Sequence, residues 1–250
     1  MSRLLVALLA AAKRVASTHP RLEALARWFH GHLSGRYRKD PTRLIAKAIQ
    51  SDDAVIVQIG SNDGFLGDPI YPLLARNPGW TCLFVEPVPH VFAKLRALHG
   101  QASHHKFENS VINDGSRMTF YYLDPSVSET CGGGYAGQLG SFNRTHIIRH
   151  LGSAALPYIR EVEIQGMTLD QLLGKHGIDR IDLLHVDAEG YDWQIVRQLD
   201  LSRFRPTVIL FEHLHLAEDE HAEAQRTLGA HYEMRDIGAD MFCRRLRDSR

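Results

Sequence analysis

Three short apolar runs in this sequence each end in residues that can do acid–base or binding chemistry. Thr81-Cys82-Leu83-Phe84-Val85 is followed by Glu86. Ile181–Val186 is followed by Asp187, with Glu189 and Asp192 in the same turn. Thr207–Phe211 is followed by Glu212 and His213. Carboxylates and an imidazole so placed can bind hydroxyls, take up a proton or hold a hard cation. A fourth run, Val55–Ile59, ends in Gly60-Ser61-Asn62-Asp63-Gly64. Glycines there let backbone N–H groups come close to a ligand. Asp68-Pro69 fits an N-cap followed by proline, opening a helix over 70–76. No Gly-Lys-Ser/Thr follows, which excludes a P-loop, and the G-x-G-x-x-G spacing is absent.

Strands of the buried type, separated by helical patterns, must position these residues. Helices are expected over 90–99, 145–151, 169–173, 193–199 and 218–228. Further strands are expected over 106–111 and 162–164, with Met118–Tyr122 as a short added or edge strand. Tyr232–Ile237 and Met241–Arg245 flank Gly238-Ala239-Asp240 and read as a closing hairpin. Strand–helix alternation implies a doubly wound, mostly parallel α/β sheet whose last strand is antiparallel. Ligands bind such sheets outside the carboxyl ends of the strands. Asp124–Gly140 carries Gly132-Gly133-Gly134, Gly137 and Gly140 without periodicity, so it reads as a functional loop or a disordered crossing.

The chain of 250 residues is long enough for one such domain, and its formal net charge is zero. The charge is unevenly spread. Residues 1–50 hold ten Lys/Arg against Glu23 and Asp40, a net of +8, and residues 51–250 balance it. Leu4–Ala12 is too short to span a membrane. Lys13-Arg14 stand where the cleavage site of a leader would lie, so the run reads as the first of three amphipathic helices. A basic helical segment of this kind suits a lid, a dimer surface or peripheral contact with an anionic membrane face. It lacks the interleaved aromatics of a nucleic-acid module. Three cysteines (Cys82, Cys131, Cys243) without C-x-x-C form neither a disulfide framework nor a zinc site, which points to a reducing, cytoplasmic compartment.

Glu86 lies 26 residues after Gly60 at the end of the neighbouring strand, where an acid can accept from both hydroxyls of a ribose. That pairing specifies a nucleoside without deciding between NAD and S-adenosylmethionine. Of the histidines, His185 lies inside a buried strand and reads as a core residue. His146 and His150 are four apart on one helix face and read as surface residues, and His215 shares a strand face with His213.

Val57–Gly64, Phe84-Val85-Glu86-Pro87, Met167-Thr168-Leu169-Asp170, His185–Asp192 and Leu210-Phe211-Glu212, in that order, resemble the FkbM-type methyltransferases over roughly residues 53–245. The family commonly has Ala where Ser61 stands and Glu where Asp192 stands. The resemblance implies a class I, Rossmann-like methyltransferase domain over 51–250. Its seven-stranded sheet has an antiparallel last strand, and residues 1–50 lie outside the match. It also implies S-adenosylmethionine as methyl donor and O-methylation of a sugar, glycan, glycolipid or hydroxylated natural product. Carried over by position, Gly60, Asn62 and Gly64 line the methionine and ribose part, with Ser61, Asp63, Pro87 and Asp187 beside them. Glu86 holds the ribose diol, and Asn109 and Val111 neighbour the adenine.

On the acceptor side two readings stay open. In one, Asp187, Glu212 and His213 hold a magnesium ion. In the other, no metal is used and His213 is the general base, followed by Glu189 and Asp192, with Asp187 assisting. Gln138, Ser141 and Asn143 border the glycine loop within reach of acceptor hydroxyls. An NAD-dependent oxidoreductase is the alternative enzyme. A non-catalytic protein that binds a partner or a membrane surface is the alternative from outside enzymes. Self-association through the amphipathic helices is a further expectation.

Overall fold

The computed structural model describes residues 39–127 and 136–247. The expected helices within residues 1–38 and the glycine run 132–134 lie outside the described residues. The chain divides into two units, 1–44 and 45–250. The third expected N-terminal helix is present as α1 (Pro41–Ala48), and Ile45 from it is fully buried. Among the described residues, no helix is long and apolar enough to cross a membrane.

Seven strands form the main sheet: β1 (Val55–Ile59), β2 (Thr81–Val85), β3 (Lys106–Glu108), β7 (Leu183–Val186), β8 (Val208–Glu212), β9 (Tyr232–Asp236) and β10 (Asp240–Arg245). Their order is β3-β2-β1-β7-β8-β10-β9. The β1–β2, β2–β3, β1–β7 and β7–β8 pairs are parallel, and β10 is antiparallel to both β8 and β9. This is the expected doubly wound sheet with an antiparallel last strand. Apolar side chains cover both faces of the central strands. On one face Val57, Ile59, Leu83, Val85, Leu184, Val186, Ile209 and Phe211 share one continuous core, and on the other Ile56, Cys82, Phe84, Leu183, Val208 and Leu210 are fully buried. That two-sided burial is why the strands read as unbroken apolar runs rather than alternating ones. Helices α2 (Tyr71–Leu74), α3 (Pro89–His99), α5 (Leu169–Lys175), α6 (Asp192–Val196) and α7 (Glu218–Gly229) follow strands or connections of the sheet.

The strand order turns back between β1 and β7, and the crevice at this switch point is where a ligand sits in such sheets. Gly60 closes β1 there and Asp187 closes β7, and the Asp187 N–H donates to the Ile59 carbonyl (2.9 Å).

A second, antiparallel sheet of three strands, in the order β5-β4-β6, rises between β3 and α5. It comprises β4 (Arg117–Leu123), β5 (Gly140–Ser141) and β6 (Ile159–Gln165). Helix α4 (Arg144–Leu151) belongs to the same excursion. A neck pinches it off from the main sheet: Ile112 bridges Met167, and the buried Asn113 fills the space a side chain on Gly166 would need. Met118–Tyr122, expected as an added or edge strand, is thus the middle of a separate sheet. The helix expected from Ile70 begins at Tyr71 with Pro72 in its first turn. Asp68 instead accepts from the Ile70 N–H (2.7 Å) and from Gln58 (3.2 Å), closing the turn before the helix.

Candidate active site

A small, partly open cleft lies at the switch point. Its walls include Gly60, Asn62, Glu86, Pro87 and Val111 on one side and Asp187, Glu189 and Gln138 on the other.

The Gly60–Gly64 turn is shaped by backbone geometry. Gly60 has φ +76°, and a Cβ there would lie 1.7 Å from the Asp187 carbonyl oxygen. Asn62 sits at φ +49°, a left-handed position that asparagine tolerates, and this aims its N–H at Glu86. Glu86 is 2% exposed. One carboxylate oxygen accepts from Asn62 N–H (2.9 Å) and the other from Val88 N–H (2.8 Å). Asn109 donates to the Glu86 and Pro87 carbonyls (2.7 and 3.1 Å), so it supports the β2 end and does not itself line the cleft. Burial pushes the Glu86 carboxyl up to about 8, against the pull of its two N–H partners and with a small addition from Asp63. Each oxygen keeps a lone pair toward the cleft, so two hydroxyl donors on adjacent carbons would complete it.

Ser61, Asp63 and Gly64 hold the turn from behind. The buried Ser61 hydroxyl donates to the Gln58 carbonyl (2.9 Å) and accepts from Val85 N–H (3.1 Å), stitching β1 to β2. Asp63 accepts from the Phe65 and Leu66 N–H groups and from Gln138 Nε2 (2.8 Å), which ties the far end of the glycine segment to the Gly60–Gly64 turn.

The opposite wall is acidic. Asp187 is raised well above the carboxylate range by burial first and then by Glu189, Asp192, Glu212 and Asp240. Burial also pushes Asp192 up to about 8 and Glu212 to about 7. Of these three carboxyls Asp187 lines the cleft itself, and displaced carboxyls clustered beside a cleft mark functional sites more often than plain surface. The members differ in what they can do. Asp192 is buried and accepts from Ala188 and Gly190 N–H (3.0 and 3.1 Å), so it shapes the turn into α6. Glu189 lines the cleft, sits at φ +49° and accepts from His146 Nε2 at 2.7 Å. The Ser141 hydroxyl donates to the Glu189 carbonyl (3.1 Å) and so fixes its backbone. Asn143 caps α4 through the Thr145 N–H (2.9 Å).

His213 lies outside the cleft lining. Its ring nitrogens make no hydrogen bond, and Nε2 is 4.0 Å from Asp236. Asp187, Glu212 and His213 therefore do not gather as a three-ligand group. His185 is in the core as expected, held neutral by burial at about 4, with Nδ1 lacking a partner. His146, expected on the surface, is 7% exposed because α4 lies against the turn that holds Glu189.

The excursion adds wall residues that the strand ends alone do not reveal. Phe120 from β4 and Phe142 after β5 line the cleft and meet edge-on at 5.5 Å, and Ser110 and Ile112 complete the floor beside Val111. Phe120 was legible as the apolar member of an alternating strand. Phe142 carried no periodic signal.

The sequence pattern of the methyltransferase FkbM domain matches residues 58–240. Methyltransferase 1 of Beauveria bassiana (strain ARSEF 2860) is 27% identical over 155 residues. The alignment covers 60% of this chain and 59% of that protein, so it spans less than two thirds of the relative's length. Among solved structures, a fibrillarin/Nop5p complex is similar at 13% identity and a TM-score of 0.41, covering 83% of this chain and 82% of that one. The mitomycin 7-O-methyltransferase MmcR is similar at 13% identity and a TM-score of 0.37, covering 94% of this chain and 60% of that one. With well over half of its length matched by the domain pattern, and with the sheet order and glycine corner described above, the chain belongs to the FkbM-domain methyltransferase family.

Proposed function

We propose that the chain transfers a methyl group from S-adenosyl-L-methionine to a hydroxyl of a sugar, glycan or other hydroxylated small molecule. The observation that carries this reading is Glu86: a buried carboxylate, anchored by two N–H groups beside a glycine turn, with capacity left for a ribose diol. Gly60 keeps the turn open because any side chain would strike the Asp187 carbonyl. S-Adenosylmethionine supplies an electrophilic methyl group on a sulfonium. The protein must align an acceptor oxygen with it and accept the hydroxyl proton as the new C–O bond forms. Glu189 is the carboxylate placed for that proton, since it lines the cleft and is oriented by His146 and Ser141. Phe120 and Phe142 supply an apolar wall suited to the ring face of a sugar or aromatic acceptor. Magnesium at Asp187, Glu212 and His213 gains no support from their placement, and the nicotinamide alternative gains none from the family. The buried free thiols of Cys82 and Cys243 support work in a reducing compartment such as the cytoplasm.

The test is transfer of an isotope-labelled methyl group from S-adenosylmethionine to a panel of sugars, glycolipids and phenolic acceptors. Methyl ether in the product supports the reading. Methylation only at nitrogen or carbon, or no transfer by folded protein that binds the donor, counts against O-methylation.

A further inference from the structure

Helix α4 carries His146 and His150 one turn apart, and the chain after β8 brings His215 against them. One nitrogen from each lies within 4.8 Å of the others. Their ring centroids are 4.4 Å (146–150), 4.6 Å (146–215) and 5.4 Å (150–215) apart. His146 is buried, while His150 and His215 are exposed, so the group has a solid floor and an entry side.

The inner imidazole is already oriented. His146 donates from Nε2 to Glu189 Oε2 (2.7 Å), which leaves the lone pair on Nδ1. A carboxylate on the far nitrogen fixes the tautomer and raises the basicity of a metal-ligating histidine. Glu212 Oε1 lies 3.9 Å from His215 Nε2, placing a second carboxylate near the group. Arg149, whose charge reaches His215, works against a cation there, and Glu189, whose charge acts on the same ring more strongly, works for one.

We propose that His146, His150 and His215 form a binding site for a divalent transition-metal ion of the zinc class, with Glu189 as the supporting carboxylate behind His146. Imidazole donors favour Zn²⁺, Co²⁺, Ni²⁺ and Cu²⁺ over Mg²⁺ and Ca²⁺, which prefer oxygen. Three protein ligands leave a tetrahedral ion one open position. Since Glu189 also lines the cleft, occupancy of this site bears on the acceptor wall. The assignment stands on the histidine geometry and holds whether or not the chain transfers methyl groups.

The experiment uses the full chain without a purification tag, stripped by chelator and titrated with Co²⁺ and then Zn²⁺. The expected result is one equivalent bound, with the visible absorption of tetrahedral Co²⁺, displaced by Zn²⁺ and unaffected by Mg²⁺. His150→Ala and His215→Ala are exposed replacements, with folding checked by circular dichroism. Each should weaken Zn²⁺ binding at least about tenfold. Absence of the Co²⁺ spectrum overturns the proposal. So does unchanged affinity in both variants, because it would assign the ion to others among the 15 histidines. Binding of S-adenosylhomocysteine, measured on the same samples, reports separately on the cofactor reading.

Discussion

The two walls of the cleft are built in opposite ways. On the β1–β2 side, most polar groups of the turn are held by neighbours close in sequence or on the adjacent strand: Ser61 on Gln58 and Val85, Glu86 on Asn62 and Val88, Asn109 on Glu86 and Pro87; Asp63, which also accepts from Gln138, is the exception. On the β7–β8 side, carboxylates crowd one another, and the orienting groups come from the excursion between β3 and α5, as in His146 on Glu189. The difference teaches where variation is tolerated. A wall fixed by the sheet itself suits a constant cofactor. A wall completed by an inserted sheet and helix can change its acceptor without disturbing the core.

If that division holds, substitutions on the two walls separate binding from turnover. Glu189→Gln keeps the shape of the acceptor wall and removes the proton acceptor. Turnover should fall about a hundredfold to ten-thousandfold, with S-adenosylhomocysteine affinity within about twofold of wild type by calorimetry. Equal losses in both would merge the two walls. Gly60→Ala attacks the junction between them. The new Cβ meets the Asp187 carbonyl at 1.7 Å in a left-handed backbone position. Urea unfolding should show a loss of about 3 kcal/mol or more, together with loss of cofactor binding.

A pH series sharpens the contrast further. In the folded chain Glu86 and Asp192 keep their protons up to about 8, whereas unfolded they ionise at their ordinary values of 4.5 and 3.8. The unfolded state then binds fewer protons, so stability falls as pH rises through this window. His105 and His185, held near 4, oppose the trend only below their ordinary value of 6.5. From about pH 6.5 to 8 the unliganded chain should lose about 1.4 kcal/mol per pH unit for each of the two carboxyls. Melts that rise or stay level across this range would contradict the buried, protonated state of both groups. The smallest effect is expected at Ser61→Ala, which removes the bridge between β1 and β2 at a cost of about 1 kcal/mol. Cofactor affinity should barely change, because Ser61 stands behind the turn and does not line the cleft.

The same contrast governs what could be read from the amino acids alone. Strands such as Val55–Ile59 and Thr81–Val85 are legible because burial on both faces demands unbroken apolar runs. Their end residues follow by position, and Gly60, Asn62, Glu86, Pro87 and Asp187 line the cleft. The acceptor wall was less legible because its contacts are long-range. Tyr121 of β4 pairs with Ser141 and with Glu161, and no local pattern encodes either register. His146 and His150 showed their four-residue spacing, but the third ring, His215, arrives from the other side of the sheet connection. By residue type His213 ranks ahead of Glu189 as a base, because imidazole is the side chain suited to proton transfer near neutral pH. The fold turns it toward Asp236 and away from the cleft.

The most direct test of the central claim is calorimetric titration of wild type and Glu86→Ala with S-adenosylhomocysteine. Wild type should bind one equivalent. The variant should bind about a hundredfold more weakly, since two hydrogen bonds from the ribose hydroxyls are lost. Equal binding by both proteins, or no binding by well-folded wild type, would contradict the assignment of this cleft to S-adenosylmethionine.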